Sequence, residues 1–372
     1  MRPQVVPLLA SLLVLPVSCG SADDGSSGTP TTPPPPETLG TAWEAESVSP
    51  LALSSPCPSF SCLATTDPSL VRSADGDLLL YFSAGGIREE GDGSHAVWGP
   101  TIGRARRADG QETFVLDPVD RPVVDAAPVG AWDRHVETVS VFADPATSRY
   151  RMVYMGYEAR PGDPNYVDGG PTTYQGTALG QMTSSDPEGK VWQRNPEPIY
   201  RPAPDAWDGL FITGASVVIG PDGVWRLYYS GAGTTVGIGL LTSNDGGDTW
   251  QPHHAPVLER DLGGWDQAVL EPTVRYFGGQ FWMWYSGYEE PLGDATRIAI
   301  GLATSADGVT WQRHPGNPVL GPGAAGSWND MRVLSSDVLV DADGSLLMAA
   351  YGCSLAGLCD DGDARIGLFR SR

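Results

Sequence analysis

The chain has 372 residues, of which 47 are Gly and 33 are Pro and only 18% are charged, a composition that excludes long helices. Its 41% hydrophobic residues, with 12 Trp, 13 Tyr and 8 Phe, exclude wholesale disorder and supply the core of one or two sizeable domains. A net charge of −22, with Lys190 the single lysine, excludes nucleic acid and electrostatic membrane attachment, argues against Schiff-base chemistry, and leaves a neutral partner.

In chain order, Arg2 is followed by an apolar run from Val5 to Val17, too short to span a bilayer and suited to a secretory signal. It ends Leu15-Pro-Val-Ser-Cys19-Gly, which resembles the signal of bacterial lipoproteins, whose cysteine becomes the lipidated first residue. Pro16 departs from the Leu usual at that point, so an ordinary signal peptide is the alternative. The expected organisation is a signal over residues 1–18, a Ser/Gly/Thr/Pro tether over 19–40 and a folded domain over 41–372. Such a protein is exported and held in the cell envelope, at the outer membrane or cell surface, by lipid on Cys19, or is secreted outright. The remaining cysteines form two close pairs, Cys57/Cys62 and Cys353/Cys359, for which local disulfides are expected and cross-pairing is the alternative.

The domain itself is a repeat. Second strands are predicted at Leu78–Ser83, Arg151–Gly156, Trp225–Gly231, Phe281–Gly287 and Leu346–Gly352, two of them ending in Tyr-Ser-Gly. Third strands follow at Thr101–Ala105, Gly176–Gly180, Val236–Leu240, Ile298–Leu302 and Ala364–Phe369. Fourth strands begin near Phe114, Trp192, Trp250 and Trp311, the last three about 60 residues apart. The last repeat lacks a fourth strand, while Trp43–Leu53 is an orphan strand upstream of the first. A ring closed by its own N-terminus explains both, and the expected fold is an all-β, five-bladed β-propeller; two stacked sandwiches are the alternative.

Ser243-Asn-Asp245-Gly-Gly247-Asp-Thr249-Trp250 resembles an Asp box, and Ser305–Trp311 a shortened one. Their Asp and Gly serve turn geometry, on the face opposite the ligand. The other face collects the inner-strand starts, which alignment on the turns places at Asp67, Glu137 with Thr138, Gly214, Glu271 and Ser335. Trp132-Asp133, Trp207-Asp208, Trp265-Asp266 and Trp328-Asn329 precede four of them, and their recurrence reads as scaffold packing rather than sugar stacking.

Thr66-Asp67-Pro-Ser-Leu-Val71 and Leu270-Glu271-Pro-Thr-Val274, at equivalent points of the repeat, resemble the five-bladed propeller glycoside hydrolases of families 43, 32 and 68 and the family 130 glycoside phosphorylases, over residues 41–372. The resemblance implies that Asp67 is nucleophile or general base and Glu271 general acid, with a third carboxylate from blade three supporting the transition state. Gly214 occupies that third position, which leaves Asp208, Glu137 and Asp337 as replacements. The residues themselves suit the chemistry: crowding carboxyls around a narrow axis keeps one protonated to serve the leaving oxygen while another stays ionised. The bland reading is that both acids only cap strands.

Substrate contacts are expected from Tyr157, Tyr288 and Glu289, beside the loops 159–174 and 290–296, and from Arg134 and His135 near the axis. His135 could ligate an axial, calcium-like cation, donate to sugar or, with Arg134, hold phosphate; a satisfied structural His is the alternative. No cofactor is required. The function expected by resemblance is hydrolysis of a poly- or oligosaccharide, with furanosides such as arabinan or fructan foremost, by a monomer whose partner is carbohydrate. The alternatives are a non-catalytic glycan-binding propeller and a glycoside phosphorylase.

Overall fold

Second strands such as Leu78–Ser83 are buried along their whole length, without alternation, because each is covered on both faces by neighbouring sheets. The computed structural model describes residues 39–47, 49–158, 176–289, 297–354 and 364–371, and every helix or strand among them is a β-strand. The signal, Cys19, most of the tether, Cys359 and the loops 159–174 and 290–296 lie outside the described residues.

After β1 (Glu44–Ala45) comes a first set, β2 (Ala64–Arg72), β3 (Leu78–Glu89), β4 (His95–Arg107) and β5 (Val115–Leu116). The second is β6 (His135–Ala143), β7 (Tyr150–Tyr157), β8 (Ala178–Ser184) and β9 (Trp192–Arg194). The third is β10 (Phe211–Ile219), β11 (Trp225–Ala232), β12 (Val236–Ser243), β13 (Gln251–Pro252) and β14 (Leu258–Glu259). The fourth is β15 (Ala268–Phe277), β16 (Gln280–Tyr288), β17 (Ile298–Ser305) and β18 (Gln312–Arg313); the last is β19 (Arg332–Val340), β20 (Leu346–Cys353) and β21 (Arg365–Ser371).

Successive strands within a set pair antiparallel, β14 adding to β12 beside β13. The orphan strand joins the last set: β1 pairs with β21 through Glu44–Arg370 and Ala45–Phe369, and backbone bonds from Glu46 to Leu368 and from Leu51 to Ile366 continue the line. A single parallel pair, Ile298–Arg332, links the fourth and fifth sets. The first strands of the sets touch in turn, β2 with β6, β6 with β10, β10 with β15, β15 with β19, and β19 with β2.

The core lies between neighbouring sets. Leu79 and Tyr81 pack with Val139, Val141 and Met152; Leu80 and Phe82 pack with Leu347 and Ile366, which joins last set to first. The recurring Trp-Asp pairs belong to this scaffold. Trp132 stacks on Tyr154 at 6.1 Å and Trp265 on Tyr285 at 6.1 Å, while the tyrosine hydroxyls donate to Asp133 at 2.7 Å and Asp266 at 2.8 Å. The Gly of Tyr-Ser-Gly exists for the Trp: a Cβ on Gly287 would stand 2.2 Å from the Trp265 ring. The Asp boxes act as turn clamps, with Asp245 accepting from the Thr249 amide at 3.0 Å and Gly247 donating to the Ser243 hydroxyl at 2.9 Å.

Cys57 and Cys62 are disulfide-bonded, five residues apart. Cys353 is also disulfide-bonded.

Candidate active site

Each first strand carries the same irregularity. Asp67, Thr138, Gly214, Glu271 and Ser335 have φ of 49°, 49°, 53°, 54° and 45°. Each falls where the pairing with the next strand slips, between Thr66 and Ser69, Glu137 and Ser140, Thr213 and Ala215, Leu270 and Thr273, and Leu334 and Asp337. A bulge with a left-handed residue re-aims one side chain out of the alternating pattern, and for a non-glycine it persists only where surrounding bonds hold it. Thr138, and not Glu137, is the second member of this ring; Glu137 is one residue earlier and takes the Tyr157 hydroxyl on Oε1.

Serines on second strands supply those bonds. The Ser83 hydroxyl accepts the Thr138 amide at 3.0 Å and is hydrogen-bonded to Asp67. Ser286 accepts the Ser335 amide at 2.9 Å and donates to Glu271 Oε2 at 2.6 Å. Ser230 accepts the Glu271 amide at 2.6 Å. In the second set Met155 stands at this register, and the Thr138 hydroxyl accepts the Gly214 amide at 3.2 Å instead. Ser335 joins the two acids: its amide reaches Glu271 Oε2 at 3.1 Å and its hydroxyl is bonded to Asp67. Thr66 adds a further bond to Asp67 Oδ2 at 2.9 Å.

The electrostatics follow from this geometry. Burial lifts the Asp67 carboxyl above its ordinary range, against the lowering effect of its bonds to Thr66, Ser335 and Ser83. Burial, followed by the charge of Asp67, pushes Glu271 up to about 7, partly offset by the donors Ser286, Ser335 and Tyr288. Two acids that repel one another in a dry setting are thus fixed by hydroxyls and an amide. The axial space beneath them, lined among others by Ser69, Ser140 and Ser336, holds about 20 Å³, room for a water and not for a sugar ring.

The other expected residues are distributed as follows. Tyr288 is buried beside the pair, its hydroxyl 3.4 Å from Glu271 Oε1. Tyr157 is stacked on His135 at 5.2 Å, and both are buried. Arg134 donates to the Ala127 carbonyl at 3.0 Å and anchors the preceding loop. Glu289 is exposed at the end of β16. Asp208 lies outside the ring: it takes the hydroxyls of Tyr229 at 2.7 Å and Tyr200 at 2.8 Å, as Asp133 and Asp266 take theirs. Asp337 is two residues past the ring, where it accepts the Leu70 amide at 2.6 Å and the Thr273 hydroxyl at 2.8 Å and pairs with Arg275. Ser69 and Ser216 at equivalent points accept the Val141 and Val274 amides, each at 2.9 Å, so Asp337 is the charged member of a second ring of clasps. Among the described residues no group of three or more His, Cys, Asp or Glu could hold a metal ion.

Sequence reasoning missed Ser83, Ser286, Arg332 and Tyr351. Ser286 was in view within Tyr-Ser-Gly and Ser83 as the end of Leu78–Ser83, and their register opposite the residue just before each bulge was the signal. Arg332 is buried, and it and Tyr351 are electrostatic neighbours.

No family model and no curated protein sequence matches the chain. Among solved structures it has the fold of glycoside hydrolases. A glycosyl hydrolase from Bacteroides ovatus matches with a TM-score of 0.64 at 16% identity, over 91% of this chain and 95% of its own. A structure described with the statement that the GH130 family of mannoside phosphorylases contains glycoside hydrolases that target β-1,2 mannosidic linkages in Candida mannan matches at 0.63 and 16%, over 90% and 95%. An exo-1,5-α-L-arabinanase from a bovine ruminal metagenomic library matches at 0.55 and 15%, over 83% and 93%. At such identities the likeness is one of fold.

Proposed function

We propose that the chain is a glycoside hydrolase, a five-bladed β-propeller whose fifth blade is completed by β1, with Glu271 as general acid and Asp67 as nucleophile or general base. The observation that carries this reading is the placement of the two carboxyls on equivalent bulges of β2 and β15, bridged by Ser335, with both acids raised and Glu271 near 7. Glycoside cleavage needs one protonated and one ionised carboxyl, and such a pair provides both near neutral pH. Glu271 Oε2 receives two good donors while Oε1 has only the long contact from Tyr288, so the transferable proton resides on Oε1. Asp208 and Asp337 are committed to scaffold bonds and take no part.

The substrate is a poly- or oligosaccharide, with a furanoside such as arabinan or fructan first, a choice supported by the arabinanase among the fold neighbours. Export with lipid on Cys19, as a monomer, fits the N-terminal sequence and the disulfide of Cys57 and Cys62. Gly214, which leaves the ring without a third acid, favours a second reading: a surface propeller that binds glycans without cleaving them. Screening the protein against a glycan panel decides between them. Cleavage abolished by Asp67→Asn and by Glu271→Gln supports the hydrolase; binding without cleavage supports the second reading; cleavage indifferent to both substitutions refutes the site.

A further inference from the structure

Three blades present a serine hydroxyl to the ring, Ser83, Ser230 and Ser286, each paired across the sheet with the residue just before the bulge. In the fifth blade the same register, opposite Leu334, is held by Tyr351. The serine side chains reach toward the following blade, as their bonds to Thr138, Glu271 and Ser335 show. Tyr351 from the fifth blade thereby projects toward the first, and it packs both with the core shared by those two blades and with the cluster around Tyr288 and Leu334. Its electrostatic neighbours are Glu271, Asp67, Arg332 and Glu137. The ring is partly exposed, and among the described residues its hydroxyl makes no hydrogen bond, whereas Tyr157 and Tyr288 each face a glutamate.

A phenol in the electrostatic reach of Glu271, Asp67, Glu137 and Arg332, on a residue that keeps some exposure and with no hydrogen bond among the described residues, is a donor available to a ligand. Resting on the glycosidase reading, we infer that Tyr351 is a substrate-contacting residue, donating its hydroxyl hydrogen to an oxygen of the sugar unit held against Asp67 and Glu271. A serine here would be in register to clasp the Asp67 amide, as Ser83, Ser230 and Ser286 clasp the amides of the following blades; tyrosine gives up that clasp.

The test measures calorimetric binding of linear arabino- and fructo-oligosaccharides to the full chain carrying Glu271→Gln, which keeps ligands intact. Adding Tyr351→Phe is expected to weaken binding about tenfold with no change in Tm, the loss of one hydrogen bond made only in the complex. Tyr351→Ser, which restores the amide clasp, is expected to keep the fold and lose at least as much affinity. Affinity unchanged in Tyr351→Phe overturns the assignment while leaving the glycosidase reading intact. If no oligosaccharide binds the Glu271→Gln protein although Asp67→Asn and Glu271→Gln separately abolish cleavage of another glycan, that glycan becomes the probe and the same comparison applies. If nothing in the panel is bound or cleaved, the glycosidase reading falls and takes this one with it.

Discussion

Ser83 and Ser286 perform one task at two places: each is hydrogen-bonded to the carboxyl of its own blade and accepts the amide of the left-handed residue in the next. The acid is thereby locked to the joint between blades, so its position depends on how two sheets dock and not on its own strand alone. Several consequences can be measured.

Activity is expected to follow a bell-shaped pH dependence. The basic limb lies near 7, where Glu271 loses its proton, and the acidic limb lies above the ordinary Asp value because Asp67 is raised by burial. Asp67→Asn removes the charge that helps hold Glu271 up. Carbon-detected NMR titration of that variant should therefore show the Glu271 carboxyl titrating below its wild-type value, and an unchanged titration would remove the coupling between the two.

Glu271 also makes stability pH-dependent in a stated direction. Its folded-state value of about 7 exceeds the ordinary 4.5, so the folded protein retains a proton that the unfolded chain has released between those values. The stabilising effect is complete below about 4.5 and is lost as pH rises toward 7, amounting to roughly 3 kcal/mol at most. Denaturation of Glu271→Gln alongside wild type should show the variant gaining on wild type as pH climbs through this window. A difference that is flat with pH contradicts the assignment.

Restoring a third acid at Gly214 should fail. A left-handed backbone is unfavourable for a side chain by roughly 1–2 kcal/mol, and a Cβ there would lie 3.1 Å from the Glu271 Cα and 3.2 Å from the Ser230 hydroxyl. Gly214→Asp is expected to lower Tm and slow turnover together, by displacing Glu271 from the Ser230 clasp. A faster enzyme of unchanged Tm would show the position to be open.

Gly287→Ala tests the scaffold away from the acids. The added methyl meets the Trp265 ring at 2.2 Å, which a packed core relieves only by shifting, at about 1–3 kcal/mol. A urea midpoint within error of wild type would show that Trp265 is free to move and is not a wedge between strands.

Much of this was legible in the chain. The five second strands, the orphan at Trp43 and the equivalence of Asp67 with Glu271 follow from a repeated pattern, clearest in the second, third and fourth sets, which pack the same Trp, Tyr and Gly in the same place. Alignment left Glu137 and Thr138 together at one point of the ring, because a bulge inserts one residue and counting along a strand gives no sign of it; the left-handed residue is Thr138. Asp337 lines the axial space, and its bonds to Leu70, Thr273 and Arg275 have no signature along the chain because those partners come from two other strands. Tyr351 was hidden for a similar reason, since Leu346–Gly352 diverges from Tyr-Ser-Gly and only its register with Leu334 reveals the substitution.

Ser335 gives the molecule an order of readiness. Asp67 and Glu271 both precede it in the chain, yet the donors it offers to each exist only after β19 has settled between β15 and β2. A polypeptide released or cut before that segment carries both acids with nothing to hold them together. On the proposed reading, reactivity toward glycans therefore belongs to the finished protein and not to its early segments.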